Sequence, residues 1–114
     1  MVYIIHAKTT NLVKIGVCIN LSKRLSGLQT SCPVELEVLC IFYSDGEIVE
    51  RKLHRRFFKH RVRGEWFELE GDLLRFVESN RLTNEKVKDF LGVKIPGDNR
   101  PEWEKTLEVE STME

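Results

Sequence analysis

EIVERKLHRRFFKHRVRGEWFEL, residues 47–69, combines a basic run with a single acid at its head. Seven lysines and arginines lie between Arg51 and Arg63 with no acidic residue among them, and Glu50 comes directly before the first of them. A basic run of this density favours binding to a polyanion. Glu50 would repel a phosphate unless a positive charge lay between the two, so its position needs a physical explanation.

The same stretch predicts a helix that runs from Ser44 to about His60. Ser44 followed three residues later by Glu47 has the form of a capping box. Helical periodicity places the apolar side chains on one buried face, formed by Val49, Leu53 and Phe57. Glu50 and His54 lie one turn apart on the border between this face and the basic face. Side chains at such a border can line a groove.

Periodicity predicts further strands and helices on both sides of this stretch. Two segments rich in β-branched residues, 2–7 and 12–17, read as a hairpin. Asn20 can cap a short helix whose inward stripe is Leu21, Leu25 and Leu28. The remaining predicted elements are a strand over 34–43, a short strand or extended edge over 65–69, and helices over 71–79 and 83–92.

These elements predict one α+β domain, with a small three-stranded, mainly antiparallel sheet flanked by helices. We expect the domain to occupy residues 1–80. Residues 81–114 are predicted to contribute a C-terminal helix and an acidic tail, because Pro96, Gly97 and Pro101 interrupt regular structure. A chain of 114 residues is long enough for one such core.

Charge is distributed unevenly along the chain. Residues 1–63 carry eleven lysines and arginines against five acids, a net charge of +6, while residues 64–114 carry seven against thirteen, a net charge of −6. A formal net charge of zero therefore conceals a basic part and an acidic part. The basic part points to a nucleic-acid or phosphate surface.

Cysteine usage and hydropathy narrow the class of protein. Cys18, Cys32 and Cys40 are odd in number and lack CxxC spacing, which argues against a disulfide framework or a zinc knuckle. No apolar run approaches the length needed to cross a bilayer, and the first residues do not resemble a signal peptide. We expect a cytoplasmic protein without a membrane partner.

The order of the motifs resembles the GIY-YIG nuclease superfamily, in particular its compact phage and bacterial branch with KIG in place of YIG. The matching segments are VYI (2–4), VKIG (13–16), SKRLSGLQT (22–30), VERKLHRRF (49–57) and GEWFEL (64–69). The resemblance covers residues 1 to about 80. It implies hydrolysis of DNA, or of RNA, with one divalent cation.

The resemblance also implies a role for individual residues. The glutamate that holds Mg²⁺ or Mn²⁺ corresponds to Glu50, and such an ion would explain a carboxylate beside a phosphate. Tyr3 corresponds to the group that accepts the proton of the nucleophilic water, and Arg24 to the arginine that holds the scissile phosphate. His54 is expected beside Glu50 as a further catalytic residue. The expected nucleic-acid contacts are Lys14, Gly16, Lys23, Arg24, Arg51 and Arg55.

Two departures from the superfamily pattern bear on catalysis. Lys14 replaces the second tyrosine; an ammonium can donate to a phosphate but cannot copy a phenol. Some members carry a histidine one turn after the arginine, where this chain has Leu28, and others an asparagine that is missing here between Asn20 and Asn80. These departures concern the reaction more than the fold.

The sequence leaves several alternatives open. The chain could be a nucleic-acid-binding module without catalysis, or an interaction protein that uses the acidic segment 98–114. A homodimer, or a protein partner bound through the C-terminal segment, is equally compatible with it. Glu50 could pair only with His54 or Lys52, and His54 could be a packed neutral histidine instead of a site residue.

Overall fold

The computed structural model describes residues 1–43, 46–83 and 85–87. Its elements, in chain order, are β1 (Val2–Ala7), β2 (Leu12–Val17), α1 (Leu21–Thr30), β3 (Leu36–Phe42), α2 (Gly46–Arg56), a 3₁₀ turn (Phe58–His60), β4 (Arg61–Arg63), β5 (Trp66–Glu68) and α3 (Gly71–Asn80). The sheet order is β3-β1-β2-β5-β4, and every neighbouring pair is antiparallel.

The predicted α+β class is confirmed, but the sheet has five strands where three were expected. The two additional strands form the β4–β5 hairpin, which pairs with β2 over Leu12, Val13 and Lys14. β4 escaped prediction because all three of its residues are exposed at the sheet edge. Such a strand has no buried face, so its sequence shows no apolar alternation.

The helices agree with the prediction in existence and differ at their ends. Asn20 caps α1, since its Oδ1 accepts from the backbone N–H of Lys23 at 3.0 Å. α2 ends at Arg56 and not near His60, because Phe57 leaves the helical conformation and the chain tightens into the 3₁₀ turn. The Phe57 side chain is fully buried in the core, as its place on the apolar face of the predicted helix requires.

Two apolar layers cover the sheet. The α2/α3 core lies on one face and contains Val2, Ile4, Val13, Ile15, Leu39, Cys40, Leu53, Phe57, Phe67, Leu73 and Val77. The α1 core lies on the other face and contains Met1, Tyr3, Ile5, Ala7, Cys18, Leu21, Leu36, Val38 and Ile41. Alternate residues of β1 and β2 therefore face opposite helices, as the period of a strand requires.

The predicted fourth helix and tail fall largely outside the described residues. Lys86 and Val87 donate backbone N–H groups to Thr83 at 3.2 and 3.0 Å, and Val87 packs against the α1 core. Leu82 donates its backbone N–H to the carbonyl of Leu39 at 2.9 Å. The rest of the predicted helix, the acidic tail and the capping residue Ser44 lie outside the described residues. The division of the chain at residue 80 stays a prediction.

Candidate functional site

The site begins where β2 loses its neighbour. Pairing between β2 and β5 ends at Lys14, and the backbone N–H of Ile15 still donates to the carbonyl of Glu65 at 3.0 Å. Beyond this bond, the described residues give β2 no strand partner on that side. We call Ile15–Val17 the open end of β2. An open strand edge exposes backbone groups that need other partners.

Side chains from two helices satisfy the carbonyls at this open end. His54 of α2 donates from Nε2 to the carbonyl of Ile15 at 2.9 Å, and Arg24 of α1 donates from Nη2 to the carbonyl of Val17 at 3.3 Å. Both carbonyls face the side on which Ile15 meets Glu65, because alternate residues of an antiparallel strand point the same way. Helices from opposite faces of the sheet thus both contact the edge of β2.

Three potential ligand groups meet beside the open end, and we call Glu50, His54 and Glu65 the acid cluster. One ligand atom from each lies within 4.8 Å of the others, and all three residues are half-buried. Glu50 and His54 come from successive turns of α2, as the sequence predicted, whereas Glu65 comes from the turn that precedes β5. The periodicity of α2 brings Glu50 and His54 together, and the turn before β5 adds Glu65.

The acid cluster holds two carboxylates in one partly desolvated place. Burial raises the pKa of Glu50, the charge of Glu65 raises it further, and the carboxyl groups of the two residues are within hydrogen-bonding reach. His54 and Lys14 act in the opposite direction on the pKa of Glu50. Glu65 has a stronger partner, since its Oε1 lies 2.8 Å from Nζ of Lys14.

Tyr3 reaches the site from the α1 core. It pairs with Gly16 across β1 and β2, and a Cβ atom at Gly16 would lie 2.6 Å from Cζ of the Tyr3 ring. Only glycine leaves room for the ring at this point. Burial raises the pKa of the Tyr3 phenol well above its usual range; Arg24 lowers it, and Glu65 and Glu50 raise it further. The phenol is therefore protonated at neutral pH.

Most of the predicted site residues meet at the open end of β2. These are Tyr3, Lys14, Gly16, Arg24, Glu50 and His54. Tyr3 belongs to the α1 core and Glu50 to α2 on the other face of the sheet, and the charge of Glu50 is among those that raise the pKa of the Tyr3 phenol. The three other expected nucleic-acid contacts lie at the surface, and their role stays a prediction. Lys23 and Arg55 have exposed side chains, and exposed Arg51 pairs with Glu47 at 3.8 Å.

Sequence reasoning missed the role of Glu65. The residue stands in the GEWFEL motif, where the sequence predicts only a short strand or extended edge. A sheet of three strands has no place for the β4–β5 hairpin beside β2, and that hairpin is what carries Glu65 to Lys14. A prediction of this pairing would have required the register between Lys14 and Trp66.

The acid cluster fits a hard divalent cation. Ligands around Mg²⁺ at about 2.1 Å lie about 3 Å apart when adjacent and about 4.2 Å apart across the ion, so a 4.8 Å cluster needs only a small contraction. The carbonyl of Ile15 can only accept, so Nε2 of His54 carries the proton and Nδ1 keeps its lone pair. Histidine ligands of metals are commonly oriented by such a hydrogen bond. Carboxylates supply the oxygen ligands that Mg²⁺ and Mn²⁺ prefer.

Comparison with known proteins supplies a family. The T5orf172 domain matches residues 1–92, which include all the strands and helices named above in the described residues and the whole acid cluster. No curated protein and no solved structure gives a significant match. None of the helices in the described residues is both long and apolar enough to cross a bilayer. T5orf172 is a phage-associated domain grouped with nuclease-like domains, in keeping with a role in contact with nucleic acid. Because the match covers most of its length, the chain belongs to the T5orf172 domain family.

Proposed function

We propose that this protein is a metal-dependent endonuclease that hydrolyses phosphodiester bonds of DNA. The observation that carries the proposal is the acid cluster, which lies beside the Tyr3 phenol and the Arg24 guanidinium at the open end of β2. Oxygen ligands for a cation next to positively charged donors form a suitable arrangement for phosphoryl chemistry. Membership of a nuclease-like family supports the same conclusion.

Each side chain of the site has a chemical task in this proposal. Glu50, Glu65 and His54 would hold Mg²⁺ or Mn²⁺, which when bound offsets the negative charge of the phosphate and of the leaving oxygen. Arg24, which donates to the carbonyl of Val17, would bring the positive charge of its guanidinium to the phosphate. Lys14 provides a second positive charge near the phosphate.

Tyr3 is assigned to the proton of the attacking water. Its phenol lies against Gly16, within electrostatic reach of Arg24 and of both glutamates. Arg24 lowers the pKa of the phenol, which burial and both glutamates raise. Tyr3 can accept a proton only after its own has left, so positive charge at the site is a condition for this role.

A plasmid-nicking assay with Mg²⁺ or Mn²⁺ tests the proposal. The wild-type protein should convert supercoiled plasmid to nicked or linear forms, and Glu50→Ala should not. Glu47→Ala is the matched control, because Glu47 is an exposed acid on the same helix, one turn earlier, and pairs only with Arg51 among the described residues. Equal cleavage by wild type and Glu50→Ala would remove the site from the mechanism.

A second candidate is a nucleic-acid-binding module without catalysis. Two observations favour it: the Tyr3 phenol keeps its proton at neutral pH, and Lys14 is paired with Glu65. This function predicts binding that falls steeply with salt, needs no cation and survives Glu50→Ala. Electrophoretic mobility shifts with EDTA or Mg²⁺ separate the two candidates, since the nuclease requires the ion at the site.

A further inference from the structure

Lys14 and Glu65 form a close ion pair inside the candidate site. Nζ of Lys14 lies 2.8 Å from Oε1 of Glu65, and the two side chains are 14% and 38% exposed. Nζ also lies 5.8 Å from the centre of the Trp66 ring, which follows Glu65 in the chain. Lys14 is thus held by the same short segment that supplies the third member of the acid cluster.

The net charge of this group depends on whether a cation is bound. Two carboxylates and one ammonium leave the group with a net charge of −1 when His54 is neutral, which repels a phosphate. A divalent cation changes the net charge to +1, which attracts one. The same ion repels the Lys14 ammonium, because both positive charges would approach the carboxylate of Glu65.

We propose that Lys14 is a displaceable counterion: it pairs with Glu65 in the cation-free protein, and a divalent cation takes Glu65 as a ligand and releases the ammonium to the phosphate of the nucleic acid. This inference rests on the proposed function and adds to it the release of Lys14 from Glu65 and an order of binding. The ion binds first, and nucleic acid binds the site second. It also gives Lys14, which replaces a tyrosine, a task that a phenol could not perform.

The Trp66 ring explains how Lys14 can leave Glu65 without leaving the site. A cation near the face of an indole ring is attracted to it, and this attraction does not depend on Glu65. The aliphatic part of a lysine can stay packed while its head moves toward solvent. A small movement of the ammonium is therefore enough to exchange a carboxylate for a phosphate.

Mn²⁺ binding to the full-length protein, measured by calorimetry without nucleic acid, tests the inference. Glu65→Gln should weaken Mn²⁺ binding at least about tenfold, since even groups behind the ligands of a metal contribute that much. Glu68→Gln is the matched control, because Glu68 is an exposed acid on β5 outside the acid cluster. Unchanged Mn²⁺ affinity in Glu65→Gln would overturn the inference.

The direction in which Lys14→Met changes the Mn²⁺ affinity is the decisive observation. Removal of the competing ammonium should strengthen Mn²⁺ binding several-fold, roughly three- to tenfold, and should weaken cation-dependent binding of an oligonucleotide. If the ion pair only stabilised the fold, Lys14→Met would weaken Mn²⁺ binding or leave it unchanged. Either of those results contradicts the inference. Circular dichroism of each variant establishes that it is folded.

A measurement on the wild-type protein tests the inference even if a variant does not fold. The side-chain ammonium of Lys14, observed by NMR and assigned with Lys14→Arg, should be protected from solvent exchange by Glu65 in the cation-free protein. Titration with Mg²⁺ should remove this protection. An ammonium signal that does not respond to Mg²⁺ concentrations that saturate the site would refute displacement.

The outcomes separate this inference from the proposed function. Cleavage that depends on Glu50, with normal Mn²⁺ binding in Glu65→Gln, retains the nuclease and rejects the displaceable counterion. Mn²⁺ binding that depends on Glu65 and increases in Lys14→Met, without cleavage of any plasmid, retains the counterion and rejects the nuclease. Absence of Mn²⁺ binding in the wild-type protein rejects the counterion whatever the nicking assay gives.

Discussion

Two groupings of the same residue types lie in this protein, and their electrostatics are opposite. The acid cluster and Lys14 bring two carboxylates, one histidine and one lysine together at the open end of β2. The second grouping, which we call the α3 clamp, contains Lys59, His60 and Asp72. Nε2 of His60 lies 2.5 Å from Oδ1 of Asp72, and Nζ of Lys59 lies 3.6 Å from the same atom.

The balance of charge explains the difference. In the α3 clamp, one carboxylate has two basic partners at the N-terminal turn of α3, and the hydrogen bond from His60 lowers the pKa of Asp72. A carboxylate is also favoured at that end of a helix. In the acid cluster, burial and a second carboxylate raise the pKa of Glu50. The clamp is satisfied without a ligand, whereas the acid cluster is stabilised by added positive charge.

The largest effect expected from this comparison is that Glu50→Gln changes cleavage and not stability, whereas Asp72→Asn changes stability and not cleavage. Glu50→Gln should lower the cleavage rate at least about a hundredfold, because it removes a proposed ligand of the ion. It should raise the free energy of unfolding by less than about 1 kcal/mol, since it relieves the crowding of two partly exposed carboxylates. Asp72→Asn should destabilise the fold and leave cleavage unchanged. Nicking assays and urea denaturation measure the two effects.

The comparison would break if both substitutions changed the same property. Loss of cleavage in Asp72→Asn with the fold intact would make the α3 clamp part of the site. A large loss of stability in Glu50→Gln would make Glu50 a structural acid like Asp72. The two variants serve as controls for each other, because each replaces one carboxylate with its amide.

A glycine beside each grouping provides the next prediction. Gly16→Ala should cost about 1–3 kcal/mol of stability and reduce cleavage, because its Cβ would displace the Tyr3 ring from the open end of β2. Gly71→Ala should cost about 1–2 kcal/mol and leave the cleavage rate of the folded protein unchanged, since φ at Gly71 is +58° and the new Cβ would meet only His60. Thermal unfolding and the nicking assay report both.

Gly27→Ala is the control for the glycine pair. Among the described residues, nothing lies within 4 Å of a Cβ built at Gly27, and the residue lies inside α1. Alanine is favoured over glycine in a helix, so this variant should gain about 0.5–1 kcal/mol. Unimpaired cleavage in Gly16→Ala would indicate that Tyr3 is not held in place by the absence of a side chain.

The smallest expected effect is on the free energy of unfolding at acidic pH. The folded-state pKa of Asp72 is lowered, so its stabilising contribution is present above the unfolded pKa near 3.9 and is lost as the pH falls through the folded value. Asp72→Asn should therefore flatten the stability profile in that range and leave it parallel to wild type at neutral pH. Urea midpoints at a series of acidic pH values measure this. Parallel profiles throughout the acid range would contradict the clamp.

The fold was predictable where a segment is long and one of its faces is buried. β1, β2, α1, α2 and α3 all followed from apolar periodicity and one cap. The short strand or extended edge expected over 65–69 is confirmed as β5 (Trp66–Glu68), whereas β4 (Arg61–Arg63) was not predictable, because its three residues are all exposed. Segments of that length acquire their structure from the neighbour with which they pair, and not from their own pattern.

The residues of the site also divide into those that the sequence predicts and one that depends on pairing between distant segments. Glu50 and His54 could be placed together from helical spacing alone, and resemblance added Tyr3, Lys14 and Arg24. Glu65 could not be added, because it is fifty-one residues from Lys14 and joins it only through the register of β2 with β5. Arg51 and Arg55 lie exposed on α2, and their contact with nucleic acid stays a prediction.

The sequence by itself determined which residues could form helices, which face of α2 is apolar, and that a lone acid precedes a basic run. These are local properties, because they depend on spacing along a few turns. Only the tertiary structure decided that β2 has an open end after Lys14 and that side chains from helices on both faces of the sheet donate to the carbonyls there. It also decided that Glu65 lies beside Glu50. Such features depend on pairing between distant segments, which no local pattern specifies.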